Sequence, residues 1–140
     1  MSTVELLLPP QPHHVRTARL VGVAAARRAG LPDENVDELR WALGEATSRA
    51  VALHAAHVPD VPVRITLRED PSGLTVEVID QGPEALPIDD TDPEQLFDGE
   101  QVDPRVSLAV LSGLVDDVEI LASPGGTTVR LRWSLPARPL

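Results

Sequence analysis

Apolar positions near the start of the chain follow two different periods, and each period predicts a different element. Residues 3–8 are rich in apolar and β-compatible side chains and stop at Pro9-Pro10, which predicts an edge strand. From Pro12 to Ala29 small and apolar residues recur at helical spacing, and Gly30 is a typical helix stop. The chain is therefore expected to begin with a strand followed by a helix.

A second helix is predicted from the clearest periodicity in the chain. It opens at Leu31-Pro32-Asp33-Glu34, where Asp33 is the expected N-cap. Three- and four-residue steps define a stripe formed by Val36, Leu39, Leu43, Ala46, Ala50, Leu53 and His57. This stripe predicts a helix that packs on a sheet.

Strict alternation of apolar and polar residues predicts two hairpins further along. The first joins residues 63–68 to residues 74–78 through a turn at 70–73. The second joins residues 118–122 to residues 127–135. Four of the five expected strands therefore lie in hairpins, which favours antiparallel pairing.

Residues 81–104, between the two hairpins, carry eight acidic residues, several prolines and no basic residue. This composition predicts an acidic lid, and a short helix is expected to follow it from Arg105 to Leu114. Because helices and strands do not alternate regularly, we expect an α/β (α+β) two-layer sandwich with a mixed, mainly antiparallel sheet and helices on one face. A length of 140 residues predicts one domain, residues 1–140.

Charge and composition narrow the classes of partner. The formal net charge of −10 argues against direct nucleic-acid binding, and no apolar run approaches the roughly 20 residues of a membrane span. The absence of cysteine and of a secretion signal favours the cytoplasm. All twelve basic residues are arginine, which suggests a G+C-rich genome such as that of an actinobacterium.

Four motifs follow one another along the chain. They are the segment Glu45-Ala46-Thr47-Ser48-Arg49, the strand end Asp80-Gln81-Gly82, the acidic lid with its helix, and the turn Gly125-Gly126-Thr127-Thr128. In this order they resemble the motifs of the histidine-kinase-like ATPase superfamily, which has the Bergerat fold. Within it the chain looks most like the RsbW-type anti-sigma factors, serine kinases that hold a sigma factor inactive and phosphorylate an anti-anti-sigma protein.

The resemblance implies an ATP or ADP site with a role for each matching residue. Glu45 would be the base for the phosphoryl acceptor, and Asp80 would accept a hydrogen bond from the adenine amino group. Gly82 would let the backbone approach the purine. Thr127 and Thr128 would hold an adenine-binding water.

Two departures from the family pattern affect the metal and the phosphates. Arg49 stands where the family has a magnesium-binding asparagine, and a guanidinium cannot ligate Mg²⁺. We expect Arg49 to pair with Glu45 one helical turn away, or alternatively to bind the phosphates itself. Ser107 is the one small residue of Arg105-Val106-Ser107-Leu108, which replaces the family's Gly-x-Gly-Leu motif. Mg²⁺ binding is therefore doubtful and kinase activity is expected to be weak or absent.

Three functions remain open at this point. The chain is a regulatory anti-sigma-like protein that binds a sigma factor and a STAS-type anti-anti-sigma protein, an active serine/threonine kinase, or a purine-nucleotide sensor without chemistry. A homodimer is expected from the resemblance. The same motifs also have purely structural explanations. Glu45 and Arg49 could form a surface ion pair, and the other motifs could be ordinary turns. His54 and His57 are predicted to form a solvent-exposed pair at a helix end.

Overall fold

The computed structural model describes residues 2–82, 97–98, 101–102 and 117–135. Its helices are α1 (Val15–Ala29), preceded by a 3-10 turn at Pro12–His14, and α2 (Asp33–His57). Its strands are β1 (Ser2–Leu8), β2 (Val63–Asp70), β3 (Gly73–Asp80), β4 (Phe97–Asp98), β5 (Gln101–Val102), β6 (Val118–Ser123) and β7 (Gly126–Ser134). Most of the predicted lid and the whole helix predicted at 105–114 lie outside the described residues.

Five of the strands form one sheet in the order β1-β2-β3-β7-β6, and every neighbouring pair is antiparallel. The strand predicted at residues 3–8 is an edge strand, as expected. The short strands β4 and β5 pair with each other. The prediction of a two-layer fold with a mainly antiparallel sheet is confirmed.

The core lies between one face of the sheet and the two helices. Its largest fully buried apolar side chains are Leu39, Leu43, Val36, Val63, Ile65, Leu67, Leu74, Val76, Val78 and Leu131. The two helices approach closely at Gly22, where a Cβ atom would collide with the Leu43 side chain. The opposite face of the sheet carries charged pairs, such as Arg130 with Glu77 and Glu119.

The ends of the helices agree only in part with the predictions. Gly30 ends α1 with a left-handed φ of 90°, and its N–H bonds the carbonyls of Ala26 and Arg27. The prediction that Asp33 caps α2 is wrong, because the helix already begins at Asp33 and its N-cap is Pro32. Pro32 makes no side-chain cap, but its carbonyl accepts the N–H groups of Asn35 and Val36. Neither described helix is long and apolar enough to cross a bilayer.

Candidate functional site

The candidate site lies where the end of β3 meets the second half of α2 and the start of β7. Asp80 is the last residue of β3 and pairs in register with Thr127 of β7. Paired residues of neighbouring antiparallel strands point to the same face of a sheet. Asp80 and Thr127 are both about 2% exposed, which places both side chains in the buried layer under the helices.

Arg49 of α2 reaches the end of β3 and forms a buried ion pair there. Its Nη1 donates a hydrogen bond to Asp80 Oδ2 at 2.7 Å, and both side chains are 1% exposed. Each charge is therefore removed from water and balanced by the other. Removing either partner would leave an uncompensated charge in the interior, which is strongly unfavourable.

The expected pairing of Arg49 with Glu45 is wrong in this structure. Glu45 is half-buried, and within the described part of the chain no hydrogen bond or ion pair joins it to Arg49. The reason is solvation: a partly exposed carboxylate keeps water contacts, whereas a carboxylate buried at the end of β3 needs a cation nearby. Arg49 therefore pairs with Asp80 and not with Glu45.

The second oxygen of Asp80 also has a protein partner. Asp80 Oδ1 accepts the backbone N–H of Gly82 at 3.0 Å, which closes a tight turn after β3. Gly82 is buried, and a Cβ atom there would lie 3.0 Å from the Cβ of Leu53. A side chain at residue 82 would therefore press on α2.

His54 holds the same turn from the other side. Its ring is fully buried, with Nδ1 2.7 Å from the carbonyl oxygen of Val61 and Nε2 2.8 Å from the backbone nitrogen of Gln81. A carbonyl can only accept and an amide N–H can only donate, so the proton of the neutral ring lies on Nδ1. His54 thereby joins α2 to the residue that follows Asp80.

The predicted solvent exposure of the two histidines is wrong for His54, although His57 is exposed. The predicted stripe of α2 ran from Ala50 to Leu53 and His57. In the structure Leu53 is half-buried and the buried stripe continues through His54. The four-residue step from Ala50 to His54 is the sequence signal for this burial, although a polar ring at such a step is more typical of a surface position.

Several buried polar atoms near Asp80 have no hydrogen-bond partner within the described residues. They are Arg49 Nε, Arg49 Nη2 and Thr127 Oγ1, together with Thr47 Oγ1 elsewhere on α2. Buried polar groups in native proteins are nearly always satisfied, so an unsatisfied group requires an explanation. Arg49 contacts Asp80 and Thr127 is its neighbour on β7, so within the described ranges the site contains unused hydrogen-bonding capacity.

The structure brings together only some of the residues predicted for the site. Arg49, Asp80, Gly82 and Thr127 meet at the end of β3. Thr128 pairs with Ile79 and therefore points to the opposite face of the sheet, away from Asp80. Glu45 lies on α2 one turn before Arg49, and Ser107 lies outside the described residues.

At position 49 the arrangement offers a cation and no ligand for magnesium. An adenine amino group would have to share the Asp80 carboxylate with its present donors, because Arg49 bonds Oδ2 and Gly82 bonds Oδ1. Magnesium takes oxygen ligands, and the guanidinium of Arg49 offers none. No cluster of three or more histidine and acidic side chains suited to a metal occurs in residues 2–82 or the other described ranges.

Comparisons with known proteins agree with the architecture of the chain. The family model described as the histidine kinase-like ATPase domain matches residues 8–133. The serine-protein kinase RsbW of Bacillus velezensis is 27% identical over 143 residues, which cover 93% of this chain and 84% of that protein. The resemblance to RsbW-type proteins is confirmed, and an ATPase family implies a nucleotide as the ligand class.

A solved structure shares the fold. The crystal structure of the RsbU and RsbW domains of Rv1364c from Mycobacterium tuberculosis matches with a TM-score of 0.69 and 20% sequence identity. The match covers 100% of this chain and 35% of that longer chain. The chain therefore corresponds to about a third of that protein, and the likeness concerns the fold alone.

Proposed function

This chain belongs to the histidine kinase-like ATPase domain family, and on that premise we propose that it is an anti-sigma-like regulator that acts by protein–protein binding. Its partners would be a sigma factor and a STAS-type anti-anti-sigma protein. In this proposal the protein is a single cytoplasmic domain with a degenerate ATP site, and it forms a homodimer.

The buried pair of Arg49 and Asp80 is the observation that carries the proposal. One substitution places a cation where the family has a magnesium ligand, and the same cation pairs with the carboxylate expected to bind adenine. The same residue therefore alters both the magnesium position and the adenine-binding carboxylate. A regulator that sequesters a partner needs neither metal nor phosphoryl transfer, so it tolerates this change while a kinase does not.

Charge and surface chemistry support a protein partner over nucleic acid. The chain carries 22 acidic and 12 basic residues. Several of the arginines on the described part of the sheet are engaged with carboxylates, as Arg130 is with Glu77 and Glu119. Binding of phosphate backbones depends on clustered, available cations. This excess of acidic residues, with several arginines already paired, agrees with an anti-sigma-like action by direct contact with a protein.

An active serine/threonine kinase is the second candidate. Glu45 is retained on α2 and half-buried, Gly82 keeps the close turn after Asp80, and the relative from Bacillus velezensis is named a serine-protein kinase. Transfer in such an enzyme would rely on positioning and charge neutralisation. Adenine would then have to share the Asp80 carboxylate with Arg49 or displace it.

The proposal is tested by capture and by calorimetry. The tagged full-length chain is used to capture proteins from the source cell, with an unrelated tagged acidic protein as control, and the captured proteins are identified by mass spectrometry. Recovery of a sigma factor or a STAS-type protein is expected. The purified partner is then titrated with and without Mg²⁺ and ATP, and we expect the same affinity in both.

Two results would contradict the proposal. Recovery of neither class of partner would remove the anti-sigma-like function. Phosphorylation of a recovered STAS-type protein on serine, or tight binding of ATP that requires Mg²⁺, would instead favour the kinase.

A further inference from the structure

The ring of His54 uses both of its nitrogens inside the protein. Nδ1 donates a hydrogen bond to the Val61 carbonyl at 2.7 Å, and Nε2 accepts the backbone N–H of Gln81 at 2.8 Å. The side chain is 0% exposed. An N–H group can only donate, so this arrangement exists only while Nε2 carries no proton. The turn after β3 is therefore compatible with the neutral ring and incompatible with the charged ring.

Protonation of the ring would set two hydrogen-bond donors against each other. In the imidazolium both ring nitrogens carry protons. Nε2–H would then face the Gln81 N–H across the distance that a hydrogen bond now spans. His54 is anchored on α2 and on the Val61 carbonyl, whereas Gln81 is exposed. The backbone at Gln81 is therefore the part that has room to move.

Gln81 lies between two residues of the candidate site. Asp80 precedes it and pairs with Arg49, and Gly82 follows it and donates its backbone N–H to Asp80 Oδ1. The bond from Gln81 to His54 ties the middle of this turn to α2. A displacement of Gln81 would therefore strain the hydrogen bond between Gly82 and Asp80.

The described surroundings of His54 offer no carboxylate to balance a charge on the ring. The titratable groups on the elements around it are Arg49 and His57 on α2, Asp60 in the connection to β2, Arg64 on β2, Asp80 on β3, and His13 and His14 in the 3-10 turn. Within the described residues none of them bonds the ring, and Asp80 is already paired with Arg49. A charge on His54 would therefore be buried without a counter-charge, which is unfavourable.

We propose that His54 is an acid-sensitive switch of the turn at residues 80–82. The neutral ring holds the turn closed against α2. As the pH falls, a proton from solvent binds Nε2, the Gln81 N–H loses its acceptor, and the turn opens. Because the open turn binds this proton better than the closed turn, acid favours the open form. The switch is separate from the proposed anti-sigma-like function, and neither depends on the other.

Hydrogen exchange of the full-length protein, followed by NMR, tests the switch. A solvated histidine gains a proton at about pH 6.5, so a change from about pH 7.5 to about pH 5.5 should favour the open form about tenfold. The protection factor of the Gln81 amide, which is corrected for the intrinsic effect of pH on exchange, should fall by that factor. Val76 in the middle of β3 is the reference, and its protection should stay constant. A parallel fall at Val76 would show that the whole fold responds, which overturns a local switch.

Two glutamine variants assign the response to one ring. His54→Gln keeps a side-chain oxygen that can accept the Gln81 N–H but gains no proton in this range, so the protection of Gln81 should be the same at both pH values. His57→Gln is the matched control on the exposed side of the same helix, and it should retain the tenfold fall of the parent protein. A tenfold fall that persists in His54→Gln overturns the inference.

The parent protein alone also decides the question if His54→Gln does not fold. The NMR signals of the imidazole nitrogens report the protonation of His54 directly. We expect the ring to gain its proton over the same pH range in which Gln81 loses protection. A ring that stays neutral down to about pH 5, where an ordinary histidine is charged, overturns the inference. Protonation without any loss of protection at Gln81 overturns it as well.

Discussion

Arg49 and Asp80 are 31 residues apart in sequence, yet Arg49 Nη1 lies 2.7 Å from Asp80 Oδ2 in the interior of the protein. The pair links the middle of α2 to the last residue of β3. Both side chains are 1% exposed, so neither charge can be solvated in the absence of the other. The stability of the fold and the chemistry of the candidate site therefore depend on the same contact.

Asp80→Asn should destabilise the protein strongly. The amide still accepts the Gly82 N–H, but Arg49 is left buried without a counter-charge, and breaking a buried pair in this way costs about 3–5 kcal/mol. Urea unfolding followed by circular dichroism measures the loss. Glu77→Gln is the control, because Glu77 pairs with the part-exposed Arg130 and such a pair contributes about 1 kcal/mol or less.

The double variant Arg49→Met, Asp80→Asn distinguishes charge from shape. With both charges gone no ion remains buried, and replacing a buried ion pair by neutral groups of similar volume is often close to neutral. We expect the double variant to be more stable than Asp80→Asn alone. If the two are equally unstable, the pair does not account for the loss.

Arg49→Asn should raise the affinity for ATP in the presence of Mg²⁺. The substitution frees Asp80 Oδ2 and places an amide oxygen one helical turn after Glu45. Calorimetric titrations with Mg²⁺ and with a chelator measure the change. Arg49→Leu is the matched control, because it also removes the cation beside Asp80 but offers no oxygen to the metal. Both variants leave Asp80 buried without its cation, so circular dichroism must first show that each is folded. An unchanged affinity in Arg49→Asn would show that the replaced glycine motif or the acidic segment dominates.

His54→Leu should loosen the turn that follows β3. The substitution removes the hydrogen bonds to the Val61 carbonyl and the Gln81 N–H, which are part-buried, and a lost hydrogen bond of this kind costs about 0.5–1.5 kcal/mol. Hydrogen exchange at the Gln81 amide should become faster than in the parent protein. The exposed neighbour His57 is the control, and His57→Leu should change stability by no more than about 0.5 kcal/mol. Unchanged exchange at Gln81 would remove the assigned role of His54.

The sequence predicted most of the fold because its strongest signals are local and periodic. Alternation at Val63, Ile65 and Leu67 predicted buried positions of a strand, and all three side chains are buried. The start of α2 was less well predicted, since a helix can begin on the carbonyl of Pro32 without any side-chain cap. Local patterns therefore fixed the kinds of element better than their ends.

The contacts of the site were harder to predict because they join distant elements. Spacing along one helix gave Glu45 as the partner of Arg49, whereas the actual partner, Asp80, is set by how α2 lies across β3. Thr127 and Thr128 could not be told apart until the register with Asp80 and Ile79 was known. His54 was missed because its burial depends on two backbone groups supplied by other elements.

Gly126→Ala should destabilise the start of β7. Gly126 has a φ of 149°, and a Cβ atom there would collide with the carbonyl oxygen of Asp80. Strain of this kind costs about 1–3 kcal/mol, which thermal or urea unfolding resolves. Gly125→Ala is a close control, because a Cβ atom at Gly125 has no neighbour within 4 Å. Equal stability of the two variants would contradict the close approach of β7 to Asp80.

Asp70 should make part of the stability depend on acid pH. The Ser72 hydroxyl and the Ser72 N–H donate to Asp70 Oδ1 and lower the pKa of Asp70 below its ordinary value of 3.8, assisted by Arg132 and the Gly73 N–H and opposed by partial burial. Because the folded pKa is the lower one, the stabilisation is fully present above the unfolded pKa and is lost as pH falls through the folded pKa.

The midpoint of thermal unfolding, measured from neutral pH to about pH 2, tests this dependence. In Asp70→Asn the unfolding midpoint should fall less on acidification than it does in the parent protein. Ser72→Ala should remove a smaller share, since the backbone N–H groups of Ser72 and Gly73 still donate to the carboxylate. Thr17→Ala, which removes an exposed hydroxyl from α1, serves as the control and should follow the parent curve. Parallel curves for Asp70→Asn and the parent would show that the hydrogen bonds of this turn do not couple folding to protonation.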